Sequence, residues 1–336
     1  MIAAALFGAS TPFAKLLLGG GINPWLLAGL LYAGSGCGLT ILFVLPIRYR
    51  AEAHLRFADL PWLFLVIVTG GIAAPVLLMY GLAHTAASSA SLLLNLEGLA
   101  TMTIAWLVFK EYVDRRLLLG AFAILMGAAV LSYEGNATLQ VGSLAIAGAC
   151  LAWGIDNNLT RKLSAADPVQ IAAVKGVAAA MVNLTLATWQ GAIWPTMGEV
   201  AAAATLGFFG YGVSLVFFVL ALRHLGAART GAYFSTAPFI GALLAIILLG
   251  EVLSVPFLLA AVLMAIGVYL HLTERHEHEH SHETMEHEHR HSHDSHHQHA
   301  HAATDPSGEP HTHWHRHKPL THRHPHYPDT HHRHKH

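Results

Sequence analysis

Phe7-Gly8-Ala9-Ser10-Thr11-Pro12, with Lys15 three residues further on, has a counterpart 146 positions later: Trp153-Gly154-Ile155-Asp156-Asn157-Asn158, followed by Arg161. Working outward from this pair, further matches keep the same order. Asn23-Pro24 opens the next apolar span of the first half, and Asp167-Pro168 opens it in the second. Leu82, His84 and Ala87 match Leu222, His224 and Ala227; Glu111 matches Glu251 and Gly127 matches Gly267, all at an offset of 140. The fall in offset fits a longer first-half loop around residues 46–60. Each match is weak alone; their common order marks an internal repeat.

Each half holds five apolar spans. An odd number makes the second copy enter a membrane upside down relative to the first, the arrangement from which secondary transporters build a site between two halves. The predicted spans are 2–18, 24–45, 61–82, 87–109, 117–133, 142–160, 168–189, 200–222, 227–249 and 255–272. All are expected to be helices, because lipid offers backbone groups no outside partner. The expected fold is therefore an all-α integral membrane protein with ten transmembrane helices in two inverted five-helix repeats, 1–135 and 136–272, and a tail, 273–336.

Composition agrees. The chain is 54% hydrophobic and 12% charged, where a soluble domain carries roughly 25% charged residues. Mean hydropathy is +0.47 even with a very polar tail included. Runs of about 20 apolar residues match a hydrocarbon core of about 30 Å. The first span starts at Met1 without a polar flank; because it matches the start of the second repeat, it is read as a membrane helix and not as a signal peptide. Cys37 and Cys150 fall inside predicted helices and read as small packing residues.

Lys and Arg set the expected orientation. Arg48, Arg50 and Arg56 follow span 2; Lys110, Arg115 and Arg116 follow span 4; Arg161 and Lys162 follow span 6; Arg223 and Arg229 flank the loop after span 8. The odd-numbered loops have essentially none. Both termini are thus expected on the cytoplasmic side of the inner or plasma membrane. The partners expected are the lipid bilayer and a small-molecule or metal-ion substrate. The net charge of −1 is uninformative about partners, and no nucleic acid is expected.

The run from Gly81 to Ala90, then Leu92-Leu93-Leu94-Asn95-Leu96-Glu97-Gly98, Ala105-Trp106 and Phe109-Lys110-Glu111, resembles the EamA family of the drug/metabolite transporter superfamily. Its echo from Ala221 through Pro238 to Gly250-Glu251 does so too, and the resemblance covers residues 1–272. It implies a ten-helix permease, usually an exporter of small metabolites such as amino acids or related solutes. The family often has Thr-Pro or similar where this chain has Glu97-Gly98; the second repeat keeps Ala237-Pro238.

Intramembrane polar residues are the candidates for substrate or coupling-ion contact: Glu97, Asn95, Asp156, Asn157, Lys175, Ser10 and Thr11. An isolated carboxylate at Glu97 would tend to take up a proton. It would couple protons to transport, contact a cationic substrate, or merely bond a neighbouring helix. Successive residues turn by about 100° in a helix, so Asp156, Asn157 and Asn158 cannot all face one cavity. Asp156 with Asn157 would line a vestibule, or Asp156 would pair with Arg161 or Lys162. Lys175 would snorkel to the cytoplasmic surface or pair with Glu97 or Asp156, and a Glu–Lys pair would favour a zwitterionic metabolite. Pro12 and Pro75 are expected to loosen their helices. Glu111 and Glu251 sit where negative charge suits the start of the following helix.

From Thr273 the composition changes completely. His276, His278, His280, His282, His287, His289, His291, His293, His296, His297, His299 and His301 alternate with acidic and small residues. Such a tract is expected to be disordered and to bind transition metals through neutral imidazole. This gives the alternative function: export of Ni, Co or Zn, with the tail collecting ions at the cytoplasmic entrance. No cofactor is required in either reading. Metalloprotease, serine-hydrolase and Gly-x-Gly-Asp patterns are absent from the spans, so an intramembrane enzyme is disfavoured.

Overall fold

The computed structural model describes residues 1–44, 53–109, 115–133, 140–164, 166–273, 277–282, 285–291, 311–317 and 320–325. Helices α1 (Ile2–Gly19) and α2 (Pro24–Val44) come first. A third pass is assembled from α3 (Leu60–Val66), a π-helical stretch at Ile67–Ala73, and α4 (Ala74–Ala83). Helices α5 (Ala87–Leu93) and α6 (Asn95–Phe109), then α7 (Arg115–Ser132), complete the first half. The second half holds α8 (Val141–Leu163), α9 (Pro168–Trp189), α10 (Met197–Gly207), a second π stretch at Phe208–Val213, α11 (Ser214–Phe234), α12 (Ala237–Leu249) and α13 (Val255–Leu272).

The matched Asn23-Pro24 and Asp167-Pro168 pairs are helix starts. Asn23 Oδ1 accepts from the amides of Trp25 (2.9 Å) and Leu26 (3.3 Å); Asp167 Oδ1 accepts from Val169 (2.9 Å) and Gln170 (3.4 Å). A side-chain cap followed by Pro at the first helical position satisfies amides that have no partner within the helix.

The burial pattern is that of a membrane protein. On α13, Leu258, Leu259, Val262, Ile266 and Tyr269 are exposed, while Phe257, Ala260, Met264 and Gly267 face inward. Ser10, Thr11, Glu97, Asp156, Lys175 and Asn183 are all buried. By length and composition, eight helical stretches among the described residues are suited to crossing a membrane; Ala237–Leu249 is apolar but shorter. Val141–Leu163 is long enough at 23 residues, yet Asp156, Asn157, Asn158, Arg161 and Lys162 cluster in its second half.

Small residues let the helices touch backbone to backbone. Gly36 on α2 lies against Gly176 on α9, and Gly8 on α1 against Ala237 at the start of α12. Between α7 and α13, Gly120 lies against Gly267 and Gly127 against Ala260. Adding 140 to the residues of the first contact gives Ala260 for Gly120, and subtracting it gives Gly127 for Gly267, so the two contacts exchange. Similarly, α6 packs on α8 as α12 packs on α1.

The turn expected after residue 222 falls inside the helical stretch Ser214–Phe234, where Ala, Leu and Arg around Gly226 are strong helix formers and no Pro intervenes. The chain nevertheless doubles back within α11. Rings of Phe218 and Phe234 touch with centroids 4.9 Å apart, whereas sixteen residues of straight helix rise about 24 Å. In the tail, the described residues carry two antiparallel ladders. β1 (Glu277–His282) pairs with β4 (Leu320–Pro325), and β2 (Met285–His291) with β3 (His311–His317). The register sets His280 opposite His322 and His289 opposite His313. His-x-His alternation has the two-residue period of a strand, and pairing satisfies the backbone without a core. His276, His293, His296, His297, His299, His301 and Glu111 lie outside the described residues.

Candidate functional site

The chain passes from α5 to α6 through a tight turn at Leu94, where the Glu97 amide bonds the Leu94 carbonyl at 3.0 Å. Asn95 Nδ2 donates to Leu92 O (2.9 Å), holding the break. Glu97 therefore lies in the first turn of α6, where the helix dipole favours negative charge. Its Oε1 accepts from Asn157 Nδ2 on α8 (2.9 Å), and the same amide reaches Thr101 Oγ1 (3.2 Å).

One residue earlier on α8, Asp156 points to a different neighbour. Lys175 Nζ on α9 lies 2.6 Å from Asp156 Oδ2, with both side chains almost wholly buried; Thr160 Oγ1 donates to Asp156 Oδ1 (3.2 Å). Lys175 thus does not snorkel, and Asp156 pairs with neither Arg161 nor Lys162. The Lys162 ammonium stands over the Trp62 ring, 3.7 Å from its centroid. Asn158 turns away and donates to Gly154 O (2.9 Å) and Thr101 O (3.0 Å).

The π stretch at Ile67–Ala73 brings backbone into this cluster. Pro75 offers no N–H to Gly71 four residues before it or to Gly70 five before it. The freed carbonyls take side-chain donors: Gly70 O accepts from Tyr32 OH (2.6 Å) and Trp153 Nε1 (3.3 Å), and Gly71 O from Asn183 Nδ2 (3.1 Å). A Cβ on Gly70 would overlap the Asp156 carboxylate and crowd Lys175. In the matching π stretch, a Cβ on Gly210 would meet Ser10, the counterpart of Asp156.

These groups surround a half-enclosed cavity of about 50 Å³, lined by Phe7, Tyr32 and Glu97 from the first half and by Trp153, Asp156, Asn157, Lys175, Gly210, Tyr211, Ser214, Leu215, Phe218 and Phe234 from the second. One water needs about 10–15 Å³ on this scale, so there is room for several waters or for part of a small solute. Phe7 is the hub of the aromatic wall, with ring centroids at 5.6 Å from Trp153, 5.8 Å from Tyr211 and 5.3 Å from Phe234.

Of the seven membrane candidates, Glu97, Asp156, Asn157 and Lys175 come together at the cavity. Asn95 instead sits against Met264 of α13 (3.8 Å to Sδ). Ser10 Oγ bonds Phe7 O (2.6 Å) within α1, and Thr11 is buried off the lining. Sequence reasoning missed Tyr32, Tyr211 and the other rings. For Phe7 and Trp153 the signal was present, since they head the two matched motifs.

The opposite end of the bundle carries a second polar cluster. From Phe7 the cavity runs toward Phe218, which packs with Ala3 near the start of α1. At the other end of α1, Lys15 Nζ donates to Leu82 O (2.6 Å) and Thr85 O (2.9 Å), capping α4. Glu251, just beyond α12, accepts from the Ala87 and Ser88 amides (2.7 and 2.8 Å). Glu251 thus caps α5 in the other half, while the helix that follows it, α13, is capped by Ser254 (3.3 Å).

Comparison with known proteins now places the fold. The model of the EamA-like transporter family matches residues 1–133 and again 140–273. The chain belongs to this family. Among relatives, an uncharacterized transporter of Methanothermobacter thermautotrophicus is 28% identical, over 80% of this chain and 83% of its own length. A probable terminal-alkyne amino-acid exporter of Streptantibioticus cattleyicolor is 26% identical, over 66% of this chain and 78% of its own length. A solved crystal structure superposes with a TM-score of 0.59 at 18% identity, covering 80% of this chain and 98% of the other; at that identity it speaks to the fold alone. As an EamA-like protein the chain is a multi-pass membrane transporter. Neither the family nor these relatives lend support to the metal-export alternative.

Proposed function

We propose that this EamA-like protein is a secondary transporter of the cell membrane that exports a small metabolite, an amino acid or related solute. Substrate would bind in the cavity around Glu97, Asn157 and the Asp156–Lys175 pair. The observation that carries this reading is that three buried ionisable side chains, from α6, α8 and α9, meet at one cavity lined by both halves. Charged groups that deep in a membrane protein are costly and mark solute or ion pathways.

In this reading ten spans form two inverted five-helix repeats, with both termini cytoplasmic. Support comes from the family match to each half, from the exchange of the Gly120–Gly267 and Gly127–Ala260 contacts, and from the reversal of the chain between Phe218 and Phe234. The cavity would then face the cytoplasm, and the Lys15 and Glu251 caps would close the outer side. Alternating access requires those caps to part, and Glu97 would exchange a proton or contact the solute. The His-rich tail is proposed to bind transition metals as an accessory.

A topology map by reporter fusions, joined to counterflow of candidate amino acids in proteoliposomes, tests this. A cytoplasmic C-terminus and saturable counterflow are expected. An external C-terminus would contradict the inverted arrangement, and a complete lack of flux would contradict the transporter reading.

A further inference from the structure

The ionisable side chains lining the cavity do not all pair with one another. Asp156 and Lys175 satisfy one another at 2.6 Å, and Thr160 takes the second oxygen of Asp156. That leaves Glu97, whose hydrogen-bond partner across the helices is the neutral amide of Asn157. The same cavity is lined by the rings of Phe7, Tyr32, Trp153, Tyr211 and Phe234. Aromatic faces attract cations, most of all when water is excluded.

We propose that the cavity recognises an organic ammonium ion, with Glu97 as its counter-charge and the aromatic rings as its wall. This deepens, and rests on, the transporter reading above. A bare divalent metal fits poorly, because it wants several oxygen or nitrogen ligands at about 2.0–2.6 Å and the wall is largely carbon. An anion would meet two carboxylates and a lysine already engaged. In a zwitterion, the ammonium would sit at Glu97 and the carboxylate would compete with Asp156 for Lys175. The ammonium is therefore the required group and the carboxylate an optional one.

The test is a matched ligand set on the purified full-length protein in nanodiscs: phenethylamine, phenylalanine and 3-phenylpropionate, followed by thermal shift and tryptophan fluorescence. The two ammonium compounds should bind and 3-phenylpropionate should not. Glu97→Gln should weaken phenethylamine at least about tenfold, since charge-assisted contacts are roughly twice as strong as neutral ones, while Glu97→Asp keeps part of the affinity. Equal binding of 3-phenylpropionate, unchanged amine binding in Glu97→Gln, or failure of phenethylamine to bind at millimolar concentration would each overturn the proposal. If Glu97→Gln loses its melting transition, the three-ligand comparison on the unaltered protein still decides. Flux separates the two readings. A protein that transports some other solute yet ignores the amine keeps the transporter reading and loses this one. One that binds the amine but passes no solute does the reverse.

Discussion

Lys175 Nζ sits 2.6 Å from Asp156 Oδ2, joining α9 to α8 where both side chains are almost wholly buried. Removing one partner of such a pair leaves a bare buried charge and costs about 3–5 kcal/mol, whereas removing both is often nearly neutral. Lys175→Met and Asp156→Asn should each lower the melting temperature clearly, and the double variant should recover most of the loss. Additive losses in the double variant would mean that the two residues do not act as a pair.

Gly70 is expected to tolerate no side chain. Its Cβ would land on the Asp156 carboxylate beside Lys175, whereas Gly231 has nothing within 4 Å of the equivalent position. Gly70→Ala should therefore displace the ion pair and abolish solute binding, and Gly231→Ala should leave binding and melting unchanged. Equal behaviour of the two variants in a thermal-shift titration would refute this placement of the π stretch.

The Lys15 and Glu251 caps are expected to hold their end of the bundle shut. Ser91 is fully buried on α5, one turn inside Ser88. In a protein carrying Cys37→Ser and Cys150→Ala, a Ser91→Cys probe should react slowly with a membrane-impermeant thiol reagent added from the Glu251 side. Adding Glu251→Ala should speed the reaction severalfold, because two amides of α5 lose their acceptor. An unchanged rate would show that Glu251 is a structural cap with no part in closure.

For the tail, deletion of residues 273–336 should leave α1–α13 folded, since their packing draws on residues 1–272. The full chain should bind several Zn or Ni ions near neutral pH. Imidazole ligates only when unprotonated, so affinity is present above its ordinary pKa of about 6.5 and is lost as pH falls through it. Isothermal titration at pH 7.5 and pH 5.5 checks this, and equal affinity at both would point away from histidine ligation.

Much of this architecture was legible because the membrane imposes simple rules. Apolar runs gave the helices, and the paired motifs headed by Phe7 and Trp153 pointed to the two helices that flank the cavity. Glu97, Asp156, Asn157 and Lys175 were legible as charged or amide groups where lipid would forbid them. Which charge answers which was not legible. Lys175 and Asp156 lie on adjacent helices, but their meeting depends on the width of the π stretch at Gly70 and on how closely Gly36 and Gly176 let α2 and α9 approach. Tyr32 and Tyr211 gave no signal, because an aromatic ring in a span looks the same whether it faces lipid or a cavity. The reversal within α11 was legible as a break between two apolar spans, although its residues favour helix; it brings Phe218 against Phe234.

An untargeted comparison of culture medium tests directly whether the Glu97 cavity is the path of an exported metabolite. Cells producing the unaltered chain are set against cells producing Glu97→Gln at the same membrane level. At least one ammonium-bearing metabolite should accumulate outside the first cells and fall to background with the second. Media of identical composition from both strains, or equal export of the same solute by both, would contradict it.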